Sequence, residues 1–496
     1  MIQAGYDPAF LWRAITMPWK VRRIGSCLLI GAGLTGLCAL ATPAMNRFLS
    51  FARAGTAFNA KVLCSGVLMA GMQADQLRRE DLALGSTLIR TRIDARGGSV
   101  DSSAFFGLVR ARAVRQGELG CSQFIRGQAM TKLPPRSRPE SLAPVRGTTT
   151  PWKLAPDAPV LPPSIKRTTL NRVLDEAFSE PNPETPRRTR AVVVVQNGWV
   201  VAERYGTGIE PDMPLIGWSM TKSLTHALMG LAVRDGLLTL NRPVPVPEWS
   251  HHSDHRRSIS LDDLLRMRSG LVFSEKTDGF DSDLVRMITQ VADTAAFAAE
   301  KPLEEAPGQR WSYASGTTNI LSRGLRFAIG DDLRYWRYPY QFLFGPLGMH
   351  TAVMETDASG TFVGSSLGWA SARDWARFGL LYLDLGRWNG QQILPEGWVR
   401  HATRTTDGSS GSYGAHWWIN KGKRRLDWPK TSFSAEGFQG QLVLISPSHN
   451  AVIVRLGQTP KKGGFDANQF GGSVLSALEI ADGQQGRTTG KRNSSP

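Results

Sequence analysis

The stretch AVVVVQNGWVVAERY, residues 191–205, places two β-branched runs on either side of Asn197-Gly198. Asn-Gly accepts the positive φ angles of a two-residue turn, so the segment predicts a tight β-hairpin. Far downstream, QLVLISPSHNAVIVRL at 441–456 again gives two strands around a Pro/Asn turn. Between these hairpins the chain reads as mostly helical and loop-rich, for example over 224–238 and 371–385. A small-residue helix is expected over 473–481. Hairpins at both ends with helices between predict a mixed α/β (α+β) domain. Its central antiparallel sheet is closed by the two ends and flanked by helices.

The chain has 496 residues, 41% hydrophobic and 20% charged, which suits two to four domains or one large one with additions. Four cysteines exclude a disulfide-rich scaffold, and the lack of heptads or longer repeats excludes coiled coil and solenoid. The formal charge of +17 is uneven. Residues 1–190 hold 27 Lys+Arg and 13 Asp+Glu, a net +14; residues 191–496 hold 32 and 29, a net +3. Excess charge confined to the first third, without a nucleic-acid module, reads as membrane-proximal charge or a partner surface. No nucleic-acid partner is expected.

An uncharged apolar run, IGSCLLIGAGLTGLCALATPA, occupies 24–44. As a helix it would span roughly 30 Å, the thickness of a bilayer core. Lys20, Arg22 and Arg23 precede it and Trp12 and Trp19 sit nearby, as in an interfacial anchor. The expected order is a cytoplasmic segment over 1–23, a transmembrane anchor over 24–44 and an extension over 45–132. A Pro-rich linker at 133–163, the main domain at 164–482 and a solvated tail at 483–496 follow. A cleaved signal with Ala39-Leu40-Ala41 at its end is the competing reading of 24–44. Either places the main domain outside the cytoplasm, in the periplasm. Cys27 and Cys38 fall inside the run, so Cys64 and Cys121 are the remaining pair and a candidate disulfide. Within the extension, 61–71 suggests a strand or turn entering a helix.

The chemistry begins at GWSMTKSL, residues 217–224. Leu224, Leu228 and Leu231 recur at helical spacing, so Ser219 stands in a first turn and Lys222 shares its face. A serine hydroxyl needs a base, and a desolvated lysine can be one. Alone, Ser-x-x-Lys occurs by chance in many helices and reads first as a capping serine with a solvated lysine. Downstream, Trp311-Ser312-Tyr313-Ala314-Ser315-Gly316 offers a phenol able to relay protons, its pKa lowered if a lysine ammonium lies close. AEGFQGQ, residues 435–441, opens the last hairpin. Its glycines let a ligand approach the strand edge, where a backbone N–H completes an oxyanion hole with that of Ser219.

Taken in order, these segments resemble the penicillin-recognising serine hydrolases. They are most similar to the class C β-lactamase-related branch, with its esterases and 6-aminohexanoate-dimer hydrolases. The resemblance covers about 165–480. It adds LLRMRSGL at 264–271, FLFGPLGM at 342–349, ASGTFVGSS at 358–366, ARDWARFGLLYL at 372–383 and LPEGWV at 394–399. It implies a β-lactamase/transpeptidase-like fold with Ser219 as acylated nucleophile, Lys222 as its base partner and Tyr313 as relay. The Gly440-Gln441 edge supplies half of the oxyanion hole. Ser315 stands where many members have asparagine, and Phe438 where many have Lys or His. Phe438 therefore favours a neutral ester or amide over a carboxylate-bearing β-lactam. No cofactor is implied, and the expected partner is a small-molecule ester or amide.

Three other readings stand beside this one. GSSLG, residues 364–368, fits the Gly-x-Ser-x-Gly elbow of α/β-hydrolases, which would make Ser366 the nucleophile with His401, His416 or His449. HHSDH at 251–255 offers ligands for zinc, although Ser250 stands where a metallo-hydrolase pattern needs histidine. The third is a catalytically silent envelope-binding or scaffold protein on the same fold.

Overall fold

The computed structural model describes residues 33–82, 88–133, 165–276, 282–460 and 463–478. The segment 1–23, the first half of the apolar run, the Pro-rich stretch from 134 onward and the tail lie outside them.

The two hairpins meet as expected. Strands β5 (Thr189–Gln196) and β6 (Trp199–Tyr205) flank the Asn197-Gly198 turn, whose φ angles of 54° and 78° are those the pair was expected to adopt. Strands β14 (Gln441–Ser446) and β15 (Ala451–Gly457) form the second hairpin. β15 pairs antiparallel with β5, Val454 opposite Val193 and Val452 opposite Val195. With β12 (Trp418–Ile419) and β13 (Phe433–Gly437) the sheet is six-stranded, in the order β12-β13-β14-β15-β5-β6.

Every residue of β5 is buried because both faces of the sheet are covered. Val193 and Val195 face the main core, with Val443, Ile445, Val452 and Val454. Val192 and Val194 face a second core, with Leu442, Leu444 and Ile453. That second core is closed by helices α2 (Arg167–Phe178) and α6 (Ala467–Ala477). Burying each valine side chain contributes about 1.5–3 kcal/mol before ordering entropy is subtracted. The main core holds α3 (Thr221–Arg234), α4 (Ser315–Ile329) and α5 (Ala372–Leu383). Helix α6 begins six residues before the expected 473, because Asp466 caps it by accepting from the Asn468 and Gln469 N–H groups. Short strands β7 (Leu215–Ile216), β8 (Val353–Met354) and β9 (Gly368–Ala370) make a small sheet beneath the nucleophile turn, and β10 (Arg387–Trp388) pairs with β11 (Gln391–Gln392).

The extension departs from expectation. α1 (Gly33–Leu63) continues through a π-helical turn, Cys64–Met69, where a strand or turn was expected. It packs on a four-stranded antiparallel meander, β1 (Ile89–Asp94), β2 (Ser99–Ala104), β3 (Val109–Arg115) and β4 (Cys121–Phe124). Among the described residues no helix is long and apolar enough to cross a membrane. The expected transmembrane helix over 24–44 is thus corrected for its described part. From Gly33 the chain already belongs to a helix that carries Arg53 and Lys61 and packs onto a sheet. Residues 24–32 lie outside the described chain.

Cys64 and Cys121 are joined in a disulfide. Beside it, Lys61 donates to the fully buried Glu355 at 2.5 Å. Glu355 also accepts from Ser65 Oγ at 2.8 Å, the Cys121 N–H at 2.7 Å and the Trp369 indole at 2.8 Å. This node ties the extension to the catalytic domain.

Candidate active site

Ser219 lies in a tight turn, Trp218–Met220, between β7 and α3. Trp218 holds a left-handed φ of 47°, a strained conformation that lifts the next residue out of the strand line. Thr221 Oγ1 fixes the turn by donating to the Trp218 carbonyl at 2.6 Å and accepting from the Gly368 N–H at 2.8 Å.

One turn further on, Lys222 is buried. Its Nζ lies 3.0 Å from Ser219 Oγ, 3.0 Å from Ser315 Oγ and 3.0 Å from the Ser365 carbonyl. Burial pulls its pKa down to about 8, against the opposing pull of the Glu275 charge. The Ser219 hydroxyl is among the groups acting on the Tyr313 phenol, and Lys222 Nζ sits 4.9 Å from the Tyr313 ring centroid. Sequence reasoning anticipated a lowered phenol pKa. The structure reverses this, because burial and the nearby Glu275 carboxylate push Tyr313 well above its ordinary value. Near neutrality the phenol keeps its proton, and of the two groups Lys222 is the one with its pKa drawn toward that range.

Ser315 opens α4 and is clamped from its other side by Glu275. The carboxylate accepts from the Ser315 N–H at 2.7 Å and from its hydroxyl at 2.5 Å. No motif marked Glu275, which sits in an irregular loop ending a described segment. Sequence reasoning also assigned nothing to the aromatic box around the relay. Trp418 stacks on Tyr313 at 5.4 Å, and Tyr413 meets it edge-on at 5.8 Å. The Arg424 guanidinium covers Trp418 at 4.4 Å and grips Glu436 through two bonds of 2.6 and 2.7 Å. With Arg425 added, these guanidiniums hold Glu436 far below the ordinary carboxylate range. The third segment, lacking a Lys or His at Phe438, therefore has two cations close by, and a single buried carboxylate pairs with both.

The Gly440-Gln441 edge lies differently from expectation. The Gln441 side chain is buried, donating to the Phe438 and Gly457 carbonyls and accepting from the Gly457 N–H. The residue against the nucleophile turn is Gly437, where a Cβ would come within 2.1 Å of the Gly217 carbonyl oxygen. Glycine is required there by space. The Phe438 ring meets Trp218 edge-on at 5.7 Å, and Phe58 of α1 stacks on the other side of Trp218 at 6.2 Å. All three rings remain partly exposed, forming an apolar wall beside Ser219.

The competing sites do not assemble. Ser366 is buried in a turn followed by a three-residue strand, not a strand–turn–helix elbow, and its hydroxyl meets only that of Ser365. The histidines proposed as its partners are engaged elsewhere. His416 lies between Thr318 and the Leu265 carbonyl, His401 on Asp262, and His449 on Ser446 and Ser448. In the 251–255 segment, Arg256 occupies the Asp254 carboxylate and His251 bonds Ser253. Among the described residues no group of three or more His, Cys, Asp or Glu is placed to hold a metal.

Comparison with known proteins agrees with this arrangement. The Beta-lactamase family model matches residues 174–474. A 6-aminohexanoate-dimer hydrolase of Paenarthrobacter ureafaciens is 26% identical over 298 residues, 55% of this chain and 73% of its own. A solved Bacillus anthracis protein carrying a provisional 6-aminohexanoate-dimer hydrolase name is 23% identical, with a TM-score of 0.52. It covers 62% of this chain and 81% of its own. EstCE1, a hydrolase with promiscuous acyltransferase activity, is 13% identical over 63% of this chain and 98% of its own, with a TM-score of 0.50. The last two likenesses speak to the fold. Matched over most of its catalytic region, the chain belongs to the Beta-lactamase family and is a hydrolase of the serine β-lactamase type.

Proposed function

We propose that this protein hydrolyses a small ester or amide through an acyl-enzyme on Ser219. One observation carries the reading: the Ser219 hydroxyl lies 3.0 Å from the amine of buried Lys222, whose pKa is drawn down to about 8, beside a phenol that keeps its proton. Neutral Lys222 takes the Ser219 proton as Oγ attacks the carbonyl, forming the C–O bond of a tetrahedral intermediate. The Ser219 N–H and a backbone N–H at the Gly437–Phe438 end of β13 hold the oxyanion. This assignment replaces Gln441 because Gly437 is the residue packed against the Ser219 turn. As the C–N or C–O bond breaks, Tyr313 gives its proton to the leaving group and regains one from Lys222. Water, activated by the same pair, then releases the acid.

The Phe58, Trp218 and Phe438 wall favours an apolar acyl chain. Glu436 takes up N–H groups of both Arg424 and Arg425, which leaves fewer donors for a free carboxylate. A neutral linear ester or amide fits this reading better than a carboxylate-bearing β-lactam. The Cys64–Cys121 disulfide suits an oxidising compartment, so we place the catalytic domain outside the cytoplasm.

A serine-directed fluorophosphonate tests the chemistry. Wild type and Ser366→Ala take up one adduct, located by mass spectrometry on the peptide containing Ser219, and Ser219→Ala takes up none. A protein whose Ser219 stays unlabelled refutes the reading.

A further inference from the structure

The extension carries an apolar rim that nothing in the chemistry uses. Among the described residues eleven large apolar side chains are exposed, and five of these gather at one end of the β1–β4 sheet. Phe106 is fully exposed and Leu108 is 87% exposed, both in the turn from β2 to β3. Leu88 enters β1 at the same end, where Ile89 pairs with Ala104 and Ala104 with Val109. Met45 and Phe48 stand one helical turn apart on α1, and the Phe48 ring meets that of Phe105 at 4.8 Å.

Phe106 holds a left-handed φ of 57°, so backbone strain is spent on presenting a phenyl ring to the outside. The turn is braced from within by Arg110, whose Nε donates to the Gly107 carbonyl at 2.8 Å. The inner face of this sheet is buried, with Val100 and Ala113 in the core. Its outer face is basic. Arg90 and Arg110 flank Ser103 in the row nearest the rim, and Arg92 and Arg112 flank Asp101 in the next. Only Arg112 has an acid within that row, Asp101 at 3.3 Å. Residues 88–133 hold eight Lys+Arg against three Asp+Glu.

We infer that the rim formed by Phe106, Leu108, Leu88, Phe48 and Met45 beds into the surface of an anionic bilayer, with Arg90 and Arg110 on the lipid phosphates. Apolar side chains ringed by arginine are the makeup of an interfacial contact: the rings enter the acyl boundary and the cations are drawn to the anionic surface. Continuity favours lipid over a protein partner. Followed backward from Met45, α1 runs through residues 33–44, the second half of the uncharged run, so the rim adjoins part of the most apolar stretch of the chain. This contact is separate from the acyl chemistry and stands or falls without it.

The test uses the full chain in vesicles, where residues 24–44 are free to insert, and reads the rim locally. Phe106→Cys and, as reference, exposed Leu426→Cys are placed in a Cys27→Ser/Cys38→Ser background and labelled with an environment-sensitive fluorophore. In vesicles containing phosphatidylglycerol, the label at 106 is expected to emit at shorter wavelength. Bilayer nitroxides should quench it several-fold more than the label at 426. Arg90→Glu/Arg110→Glu should weaken both signals in phosphatidylglycerol vesicles and leave them unchanged in pure phosphatidylcholine. An unchanged far-ultraviolet circular dichroism spectrum and thermal transition show that each variant is folded. Water-like emission at 106 in every vesicle overturns the inference, as does a signal indifferent to the charge reversal. A blue shift without lipid also overturns it: one that grows with protein concentration assigns the rim to a second copy of the chain, and one that does not assigns it to the chain's own apolar segment.

Discussion

Glu275 accepts from both the N–H and the hydroxyl of Ser315, so the Ser315 oxygen can face Lys222 only as an acceptor. The Ser365 carbonyl is an acceptor by nature. Two of the three Lys222 partners thus demand N–H bonds, and when the amine is neutral its lone pair is left for Ser219. Direction in this hydrogen-bond chain is set by a residue that never touches the nucleophile.

Glu275→Gln should therefore lower kcat/KM about 10- to 100-fold, because an amide can donate to Ser315 and turn its hydrogen toward Lys222. The pH profile separates this from general damage. Removing a negative charge disfavours the ammonium form, so the rising limb should move to lower pH than in wild type. A limb that stays in place while activity falls would mean that Glu275 merely holds its loop.

In wild type, activity should rise with pH through about 8. The base is active only when deprotonated, and burial has lowered the Lys222 pKa from 10.5 to about that value. At pH 7 roughly one-tenth of the molecules carry neutral Lys222. Below the limb, kcat/KM should fall tenfold per pH unit. Lys222→Ala should lose at least about 1,000-fold, as a nucleophile deprived of its base does. The profile of kcat/KM with a neutral ester measures both.

Tyr313→Phe distinguishes a proton donor from a base. The phenol is held protonated, so its main duty falls at departure of the leaving group. A nitrophenyl ester, whose leaving group needs no proton, should lose less than about 10-fold. An alkyl amide should lose about 100- to 10,000-fold. Equal losses on both would assign Tyr313 to activation of Ser219 instead.

How much of this was legible in the sequence follows from how local each signal is. Asn197-Gly198 and the valine run around it announced the hairpin because turn geometry and strand preference are written in adjacent residues. Ser219 and Lys222 were readable for the same reason: one helical turn brings them to one face. Glu275 was not, since a carboxylate in an irregular loop has no spacing to betray it and reaches Ser315 across 40 positions. The direction of the Tyr313 shift was missed because burial depends on Trp418 and Tyr413, roughly a hundred residues downstream. Gln441 was chosen over the Gly437 end because alternation along a strand does not reveal which residue a distant turn will press against. The four-stranded meander escaped notice because its strands IRTRID and VRARAVR alternate arginine with small or aliphatic residues. Such a pattern covers one face only and reads as charge.

The node at Glu355 makes the extension a structural part of the catalytic domain. Among the described residues Lys61 supplies the only formal positive charge that meets this buried carboxylate, and the disulfide closes beside it. Lys61→Met keeps the apolar stem and removes the charge, leaving Glu355 with neutral donors alone. Breaking one side of a buried pair in this way costs about 3–5 kcal/mol. Lys61→Met/Glu355→Gln takes away the stranded charge and should recover part of that loss, since the amide oxygen still accepts from the Cys121 N–H. Urea unfolding followed by intrinsic fluorescence measures both. Activity adds a second readout, because the Glu355 N–H binds the Leu367 carbonyl two residues beyond Ser365, whose own carbonyl orients Lys222. The single variant should therefore lose hydrolytic activity at urea concentrations where its bulk fluorescence is still native. If activity and fluorescence fall together, the node stabilises the whole fold without a specific link to the active-site lysine.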